Sequence, residues 1–517
     1  MKTRFTLLFL LISSVIANAQ TLNIAWQKCY GGAGSDKNPR VLARVDQSYT
    51  LGMSTNSING DISGNKGEYD WLILKFDKDN LSLFNKIYGG TKTEDFSNID
   101  ENSDKTYLVT GTTNSNDGNI SGNHGLTDAW AMKLVAAGSF QWRKCIGGTK
   151  NDEGASVLEV ESGNYLLLGS TESSDGDFTT NAGGKDIYLI KTDVNGIFAW
   201  TKTYGGSLDD RAISMVKLAD GYVIAAVSLS SNGPATNSNH GGKDILLMKV
   251  DLSGNKVWAK FIGGSGDDVP TQLINTSDGN LLLTATTNSN NGDVSSNHGL
   301  NDIWVAKIST AGNIVWSKCL GGTADEQSAQ LCELAVPNKY FVIGTTSSNN
   351  GNVSGAKGGK DIWIAQLNTS GAFEAGKNFG GSQDDTGTSI DVTFDKGLLI
   401  AGETNSSDGN VTGNHGGGDV WVAKLTQPTA TFEALNAFEV TLAPNPTNQF
   451  TTVSWPDNIK LSNISIHSII GVQCKLIQVS SESNSQQLDM SDLPSGHYFI
   501  SLNAQEGSAK KMLELVK

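Results

Sequence analysis

The stretch WRKCIGGTKND, residues 142–152, returns as WTKTYGGSLDD at 200–210, WAKFIGGSGDD at 258–268 and WSKCLGGTADE at 316–326. Looser copies stand at 26–36 (WQKCYGGAGSD), 84–94 (FNKIYGGTKTE) and 375–385 (AGKNFGGSQDD). The Gly-Gly pairs open at Gly31, Gly89, Gly147, Gly205, Gly263, Gly321 and Gly380, five steps of 58 residues and one of 59. An Asp recurs in phase at Asp70, Asp128, Asp186, Asp244, Asp302, Asp361 and Asp419. A period of this size marks a propeller, a solenoid or an array of small supersecondary units.

Each copy reads as four short strands. In the third, 155–161 and 165–171 are separated by the turn Ser162-Gly163-Asn164. A third strand, 187–192, follows Asp186, and a fourth, 198–204, follows the turn Asp193-Val194-Asn195-Gly196. No stretch of the repeats holds a helical apolar period. Four antiparallel strands in each of seven repeats predict an all-β, seven-bladed β-propeller, with a β-solenoid as the alternative. The phase of the ends favours the propeller. The repeats open with a fourth-strand segment, 24–30, and the last one stops after its third strand, 420–425. The N-terminal strand is therefore expected to complete the last blade, which removes the exposed edges of a linear array.

The pattern W-x-K-x-(Y/I/L)-G-G followed by an acid, with GNYLLLGST at 163–171 and DIWVAKI at 302–308, resembles the bacterial β-propeller repeats of secreted proteins. The resemblance covers residues 20–427 and speaks for architecture. The loop SNDGNISGNHG, 115–125, departs from it.

Composition agrees. The 517 residues are 38% hydrophobic and only 18% charged, with 59 Gly, which suits many strands joined by tight turns. The net charge of −15 argues against nucleic acid as a partner, because neutralising phosphates needs clustered Lys and Arg. Residues 1–19 read as a signal peptide: Lys2 and Arg4, an apolar run over 5–16, then Ala17-Asn18-Ala19, with cleavage between Ala19 and Gln20. The apolar run is too short to span a bilayer, and no later segment qualifies. Five widely spaced Cys (Cys29, Cys145, Cys319, Cys332, Cys474) form neither a disulfide framework nor a zinc pattern.

A residue present in every blade is read as architecture, since catalysis needs one constellation. That covers the Lys series from Lys28 to Lys377 and the acids Asp36, Glu94, Asp152, Asp210, Asp268, Glu326 and Asp385. Trp26, Trp142, Trp200, Trp258 and Trp316, with Phe84, are expected in the blade-to-blade core, and Cys29, Cys145 and Cys319 as thiols packed in the sheets. Function is expected on the face carrying the long second-to-third-strand loops. Six of these hold a Gly flanked by Asp or Asn, and Asp61, Asp117, Asn119, Asp175, Asp177, Asp293, Asp408 and Asn410 are candidate ligands for Ca²⁺. The competing reading makes them Asx-turns. The fourth loop, Ser231-Asn232-Gly233-Pro234-Ala235, breaks the pattern, with Pro read where the others carry Gly. His124, His240, His298 and His415 share one loop position and are read as turn residues, not a metal ring. Neither a G-x-S-x-G elbow nor H-E-x-x-H, nor a phosphate loop, stands in a supporting context.

After a linker, 428–438, the composition changes. Residues 439–517 carry Ala443-Pro444-Asn445-Pro446, then ISIHSIIGV at 464–472 with Gly471. LDMSDLPSGHYFISL follows at 488–502, with Leu493, Pro494, Gly496 and Tyr498, and then Lys510, Lys511 and Lys517. These motifs resemble the type A C-terminal sorting domain of the type IX secretion system. The resemblance implies a small immunoglobulin-like sandwich that engages the secretion machinery and is removed after export, leaving the protein secreted or on the outer-membrane surface. A carbohydrate-binding sandwich is the alternative for this segment. For the whole chain the sequence favours a binding or adhesion propeller for a surface glycan or protein. The other readings are a secreted hydrolase or lyase acting on glycans or peptides at the channel, and a purely structural surface protein.

Overall fold

The computed structural model describes residues 22–161, 163–334, 338–426, 438–468, 473–479, 483–504 and 507–517. The signal cleavage site at Ala19 and Gln20, most of the linker, and Gly471 lie outside them. The chain divides into two compact units, Met1–Gln427 and Pro428–Lys517.

The third repeat shows how a unit is built. Its strands Asp152–Glu161, Asn164–Thr171, Asp186–Thr192 and Phe198–Tyr204 form one antiparallel sheet in sequence order. The two middle strands are buried on both sides, because YLLLGS and DIYLI offer continuous apolar runs. The first strand is bulged between Gly154 and Ser156. Seven such four-stranded sheets, 28 strands among the described residues, make up the first unit. In the seventh, Asp385–Val392, Leu398–Thr404 and Asp419–Thr426 are joined by the N-terminal Asn23–Tyr30, which pairs antiparallel with Asp419–Thr426, Cys29 opposite Trp421. No helix of the described residues is long and apolar enough to cross a membrane.

Successive sheets are joined by one repeated contact. The amide at the start of a first strand donates to the carbonyl just before the previous sheet's third strand: Glu94 N to Tyr69 O at 2.7 Å, and Asp152 N to Thr127 O at 2.7 Å. The same bond links Asp36 N to Gly418 O at 2.8 Å, so the seventh sheet meets the first as every other sheet meets its successor.

The heaviest core side chains are the third-strand Trp71, Trp130, Trp304, Trp363 and Trp421, all essentially inaccessible. The Trp series of the sequence reading packs on the edges of the core clusters between sheets, and Phe84 in the same series is buried within one. Trp26, Trp142, Trp200, Trp258 and Trp316 lie on outermost strands and are only half-buried. Trp142 Nε1 donates to Val194 O at 3.1 Å and its ring covers Gly196 in the next sheet's turn. Trp316 repeats this on Thr369 O and Gly371. These indoles clamp the neighbouring turn at the rim, because an outermost strand has only one flank to bury. The four Cys at 29, 145, 319 and 332 are buried free thiols, and burial pushes Cys29, Cys145 and Cys319 up to about 12.

The second unit has a three-stranded sheet (Thr441–Ala443, Phe450–Ser454, Ser485–Asp489) and a four-stranded one (Leu461–Ser468, Gln473–Gln478, Gly496–Ala504, Gly507–Leu515). They enclose one core of Val453, Ile464, Ile466, Leu488, Ile500, Leu502 and Leu513.

Candidate functional site

The long-loop face is ordered by carboxylates and amides that cap backbone N–H groups. Asp117 accepts from Thr91 N at 2.8 Å and Thr91 Oγ1 at 2.7 Å, and Asp175 accepts from Thr149 N at 2.9 Å and Oγ1 at 2.8 Å. Asp408 accepts from Ser382 N at 2.7 Å. These bonds hold all three acids below the usual carboxylate range. The residue after the loop Gly takes the first glycine's amide. Asn119 accepts from Gly89 N (3.1 Å), Asp177 from Gly147 N (3.1 Å), Asp293 from Gly263 N (3.2 Å) and Asn410 from Gly380 N (3.4 Å). Asp61 instead lies 3.5 Å from Lys28 Nζ and 3.9 Å from His415 Nε2. The eight candidate ligands are thus spread over five loops. Among the described residues no three His, Cys, Asp or Glu gather as a metal would need. The fourth loop keeps the cap: Asn232 Oδ1 accepts from Ser207 N at 2.9 Å, and Gly233 packs on Gly205 O as Gly176 does on Gly147 O. Pro234 therefore replaces the Asx after the turn glycine, not the glycine itself.

Beneath the caps lie the two phased acid series, and they meet. At the junction of the second and third sheets, Asp152 Oδ2 accepts from Gly148 N at 2.8 Å and Ser173 Oγ at 2.9 Å. Asp128 Oδ2 accepts from His124 N at 3.0 Å and lies 2.7 Å from His124 Nδ1, which gives the loop histidines their role as brackets on a buried acid. Asp128 Oδ1 has no hydrogen-bond partner among the described residues. A Cβ on Gly147 would stand 2.6 Å from Asp128 Oδ1 and 2.8 Å from Asp152 Oδ2, so both carboxyls converge on that glycine. Burial, with the facing acid adding to it, pushes Asp128 up, and burial pushes Asp152 up. At the preceding junction Asp70 is raised and Glu94 reaches about 7. Two buried carboxyls side by side cannot both ionise cheaply, so each pair retains a proton to higher pH than a lone acid would.

One step further along the same first strands the repetition ends. All seven strands line a cavity of about 970 Å³ that opens beside the caps. The residue after each junction acid is Lys37, Asp95, Glu153, Arg211, Val269, Gln327 and Thr386 in turn, charged in four consecutive sheets and neutral in three. Lys37 Nζ is 2.8 Å from Asp95 and 4.0 Å from the Tyr69 ring centre. Glu153 pairs with Arg211 Nε at 2.9 Å and with Lys185. Arg40 also lines this mouth.

A second cavity of about 520 Å³ continues along the same strands and shares Arg40, Ala155, Ile213 and Thr271 with the first. Six residues after the junction acid, five sheets carry Leu42, Leu158, Val216, Ile274 and Cys332, while two carry Asp100 and Asp391. Asp391 accepts from Ala43 N and from Val392 N, both at 2.8 Å. Asp100 accepts from Glu101 N at 2.9 Å. Burial pushes Asp100 up to about 6 and Asp391 up as well, against the nearby Arg44 guanidinium. Sequence reading missed these breaks. They show only when each strand is aligned on its junction acid.

In the second unit the motif residues tie the chain end down. Asn445 Nδ2 donates to Met512 O at 2.8 Å and its Oδ1 accepts from Glu514 N at 2.9 Å. Pro444 O accepts from Thr451 Oγ1 at 2.8 Å and Pro494 O from Tyr498 OH at 2.7 Å. Pro446 directly precedes Thr447, whose amide donates to Glu514 O at 2.9 Å. Lys517 N donates to Ser495 Oγ at 3.0 Å, Leu493 packs against the core, and Gly496 opens its strand at φ +154°.

Residues 441–515 match the family described as the secretion system C-terminal sorting domain. The match marks the chain as one that type IX secretion exports, either releasing it or attaching it at the outer surface, and so assigns the C-terminal unit to the secretion machinery. No curated protein matches the sequence. Among solved structures, the extracellular domain of a one-component system from B. thetaiotaomicron shares 11% identity at TM-score 0.40; the alignment covers 96% of this chain and 59% of that one. A protein of unknown function from Dyadobacter fermentans shares 12% at 0.41, covering 78% and 99%. A PL25 ulvan lyase, a polysaccharide lyase, shares 10% at 0.43, covering 76% and 97%.

Proposed function

We propose that the exported chain is a closed seven-bladed β-propeller, carried by an immunoglobulin-like C-terminal unit, that binds a surface glycan or protein through the cavity mouth on its long-loop face without chemistry. The observation that carries this is the break in regularity at the mouth, where Lys37, Asp95, Glu153 and Arg211 replace sevenfold sameness with an arc of charge. Closure is supported by the junction bond that recurs between the seventh and first sheets. The test applies the chain lacking residues 1–19 to glycan and peptide arrays, beside a variant combining Lys37→Gln, Asp95→Asn, Glu153→Gln and Arg211→Gln. A loss of about tenfold or more in affinity for the retained ligand is expected. Unchanged binding by the variant would sink the reading.

Asp100 and Asp391 favour a second reading, a hydrolase or lyase, since two acids with raised pKa in a cavity suit acid–base work. It requires new chain ends from a glycan or peptide substrate, lost in Asp100→Asn.

A further inference from the structure

Four residues past each junction acid the seven first strands carry Arg40, Asn98, Ser156, Ser214, Gln272, Gln330 and Ser389. Four of the six neutral side chains here reach across to the next sheet as acceptors. Ser214 Oγ takes Leu273 N at 3.1 Å, Gln272 Oε1 takes Leu331 N at 2.7 Å, Gln330 Oε1 takes Ile390 N at 3.1 Å, and Ser389 Oγ takes Val41 N at 3.1 Å. Arg40 cannot accept a hydrogen bond. Its Nε donates to Ser97 O at a long 3.4 Å instead.

Arg40 also stands where the mouth gives way to the deeper cavity, lining both. The other cations of the mouth are matched: Lys37 by Asp95, and Lys185 and Arg211 by Glu153. No carboxylate lies within 4.0 Å of Arg40 among the described residues. Burial without a counter-charge pulls its guanidinium down to about 10. Arg40 is half-buried in the wall of an open cavity, where a ligand's anion would meet N–H donors that no protein carboxylate occupies.

We propose that Arg40 is the specificity-determining residue of the cavity and pairs with an acidic group, a uronate carboxylate or a sugar sulfate, on a glycan that enters by the mouth. The claim rests on the binding reading above and adds the ligand's charge and class. A glycan is favoured over a peptide because hydroxyl and amide side chains are the commonest in the lining of the cavity that Arg40 shares, among them Thr112, Thr271, Gln327 and Thr388. A guanidinium matches a carboxylate or sulfate with two parallel N–H donors.

The experiment measures binding of the chain lacking residues 1–19 to oligogalacturonate, its methyl ester, chondroitin sulfate and poly-glutamate. Arg40→Gln and Arg40→Lys are run beside the mouth variant. Arg40→Gln reproduces the Gln272 arrangement, with Ile99 N as its partner, so it should fold with an unchanged thermal midpoint. An acidic oligosaccharide is expected to bind where the ester does not. Arg40→Gln should weaken that binding by about tenfold or more, with Arg40→Lys recovering part of it. Any neutral glycan that the mouth variant loses should be retained by Arg40→Gln, which separates failure of this proposal from failure of the binding reading. The proposal is overturned if neither acidic oligosaccharide binds, if Arg40→Gln binds as wild type, or if poly-glutamate alone is retained.

Discussion

At the sheet junctions seven pairs of acids do one job, whereas one residue further along the same strands no two sheets carry the same side chain. The difference teaches how to read a repeated protein. Asp128 and Asp152 sit against Gly147 just as Asp70 and Glu94 sit against Gly89, so selection there acts on assembly. Lys37, Asp95, Glu153, Arg211, Val269, Gln327 and Thr386 have the same backbone position and nothing else in common. Variation on an invariant frame is where a ligand can be recognised.

The strongest way to break the comparison is to place an alanine at each kind of position. Gly147→Ala drives a Cβ to 2.6 Å from Asp128 Oδ1 and 2.8 Å from Asp152 Oδ2, both on inaccessible side chains with no room to withdraw. A loss of about 3 kcal/mol is expected, read as a lower denaturant midpoint or as failure to accumulate folded protein. Thr386→Ala at the cavity wall should cost less than about 0.5 kcal/mol. Equal costs at the two sites would erase the distinction between frame and wall.

Titration sharpens the same contrast. Burial lifts Glu94 from 4.5 to about 7 and raises Asp70, Asp128 and Asp152. A carboxyl whose pKa is higher folded than unfolded gives stability that is complete below the unfolded value and is lost as pH rises through the folded one. Thermal midpoints should therefore fall between pH 5 and pH 8, and Glu94→Gln, which mimics the protonated form, should flatten that slope. A midpoint that climbs across this range would mean that the pairs are ionised in the fold and compensated by something else.

Much of this frame was legible beforehand, for a physical reason. Strands alternate or run apolar, and turns need Gly, Asn and Asp, so Asn164–Thr171 and Phe198–Tyr204 stand within a residue of where the pattern put them. The C-terminal motifs were legible as motifs, and the structure adds that Asn445 and Lys517 hold the chain end. The meeting of Asp128 with Asp152 was hidden because it is a contact between sheets, and a period reports what recurs, not what touches. The same limit hid that Trp142 meets the core between two sheets from its rim, half-buried, while Trp130 is fully enclosed. Arg40, Asp100 and Asp391 were hidden for the opposite reason. A search for repetition discards the positions that fail to repeat.

The smallest expected effect concerns the caps. Asp175 accepts from Thr149 N, and Asn350 makes the same bond to Thr323 N at 2.8 Å in the sixth sheet. The molecule thus already contains the aspartate-to-asparagine exchange, and the loop keeps its cap without the charge. Asp175→Asn should leave the thermal midpoint within about 1 °C of wild type, while Asp175→Ala loses the capping bond and should lower the midpoint measurably. If the carboxylates serve only as acceptors, millimolar Ca²⁺ in place of EDTA moves neither midpoint. A rise of several degrees in Ca²⁺ that Asp175→Asn abolishes would instead make these loops cation sites, because only ligand binding to the native state lifts a midpoint by mass action.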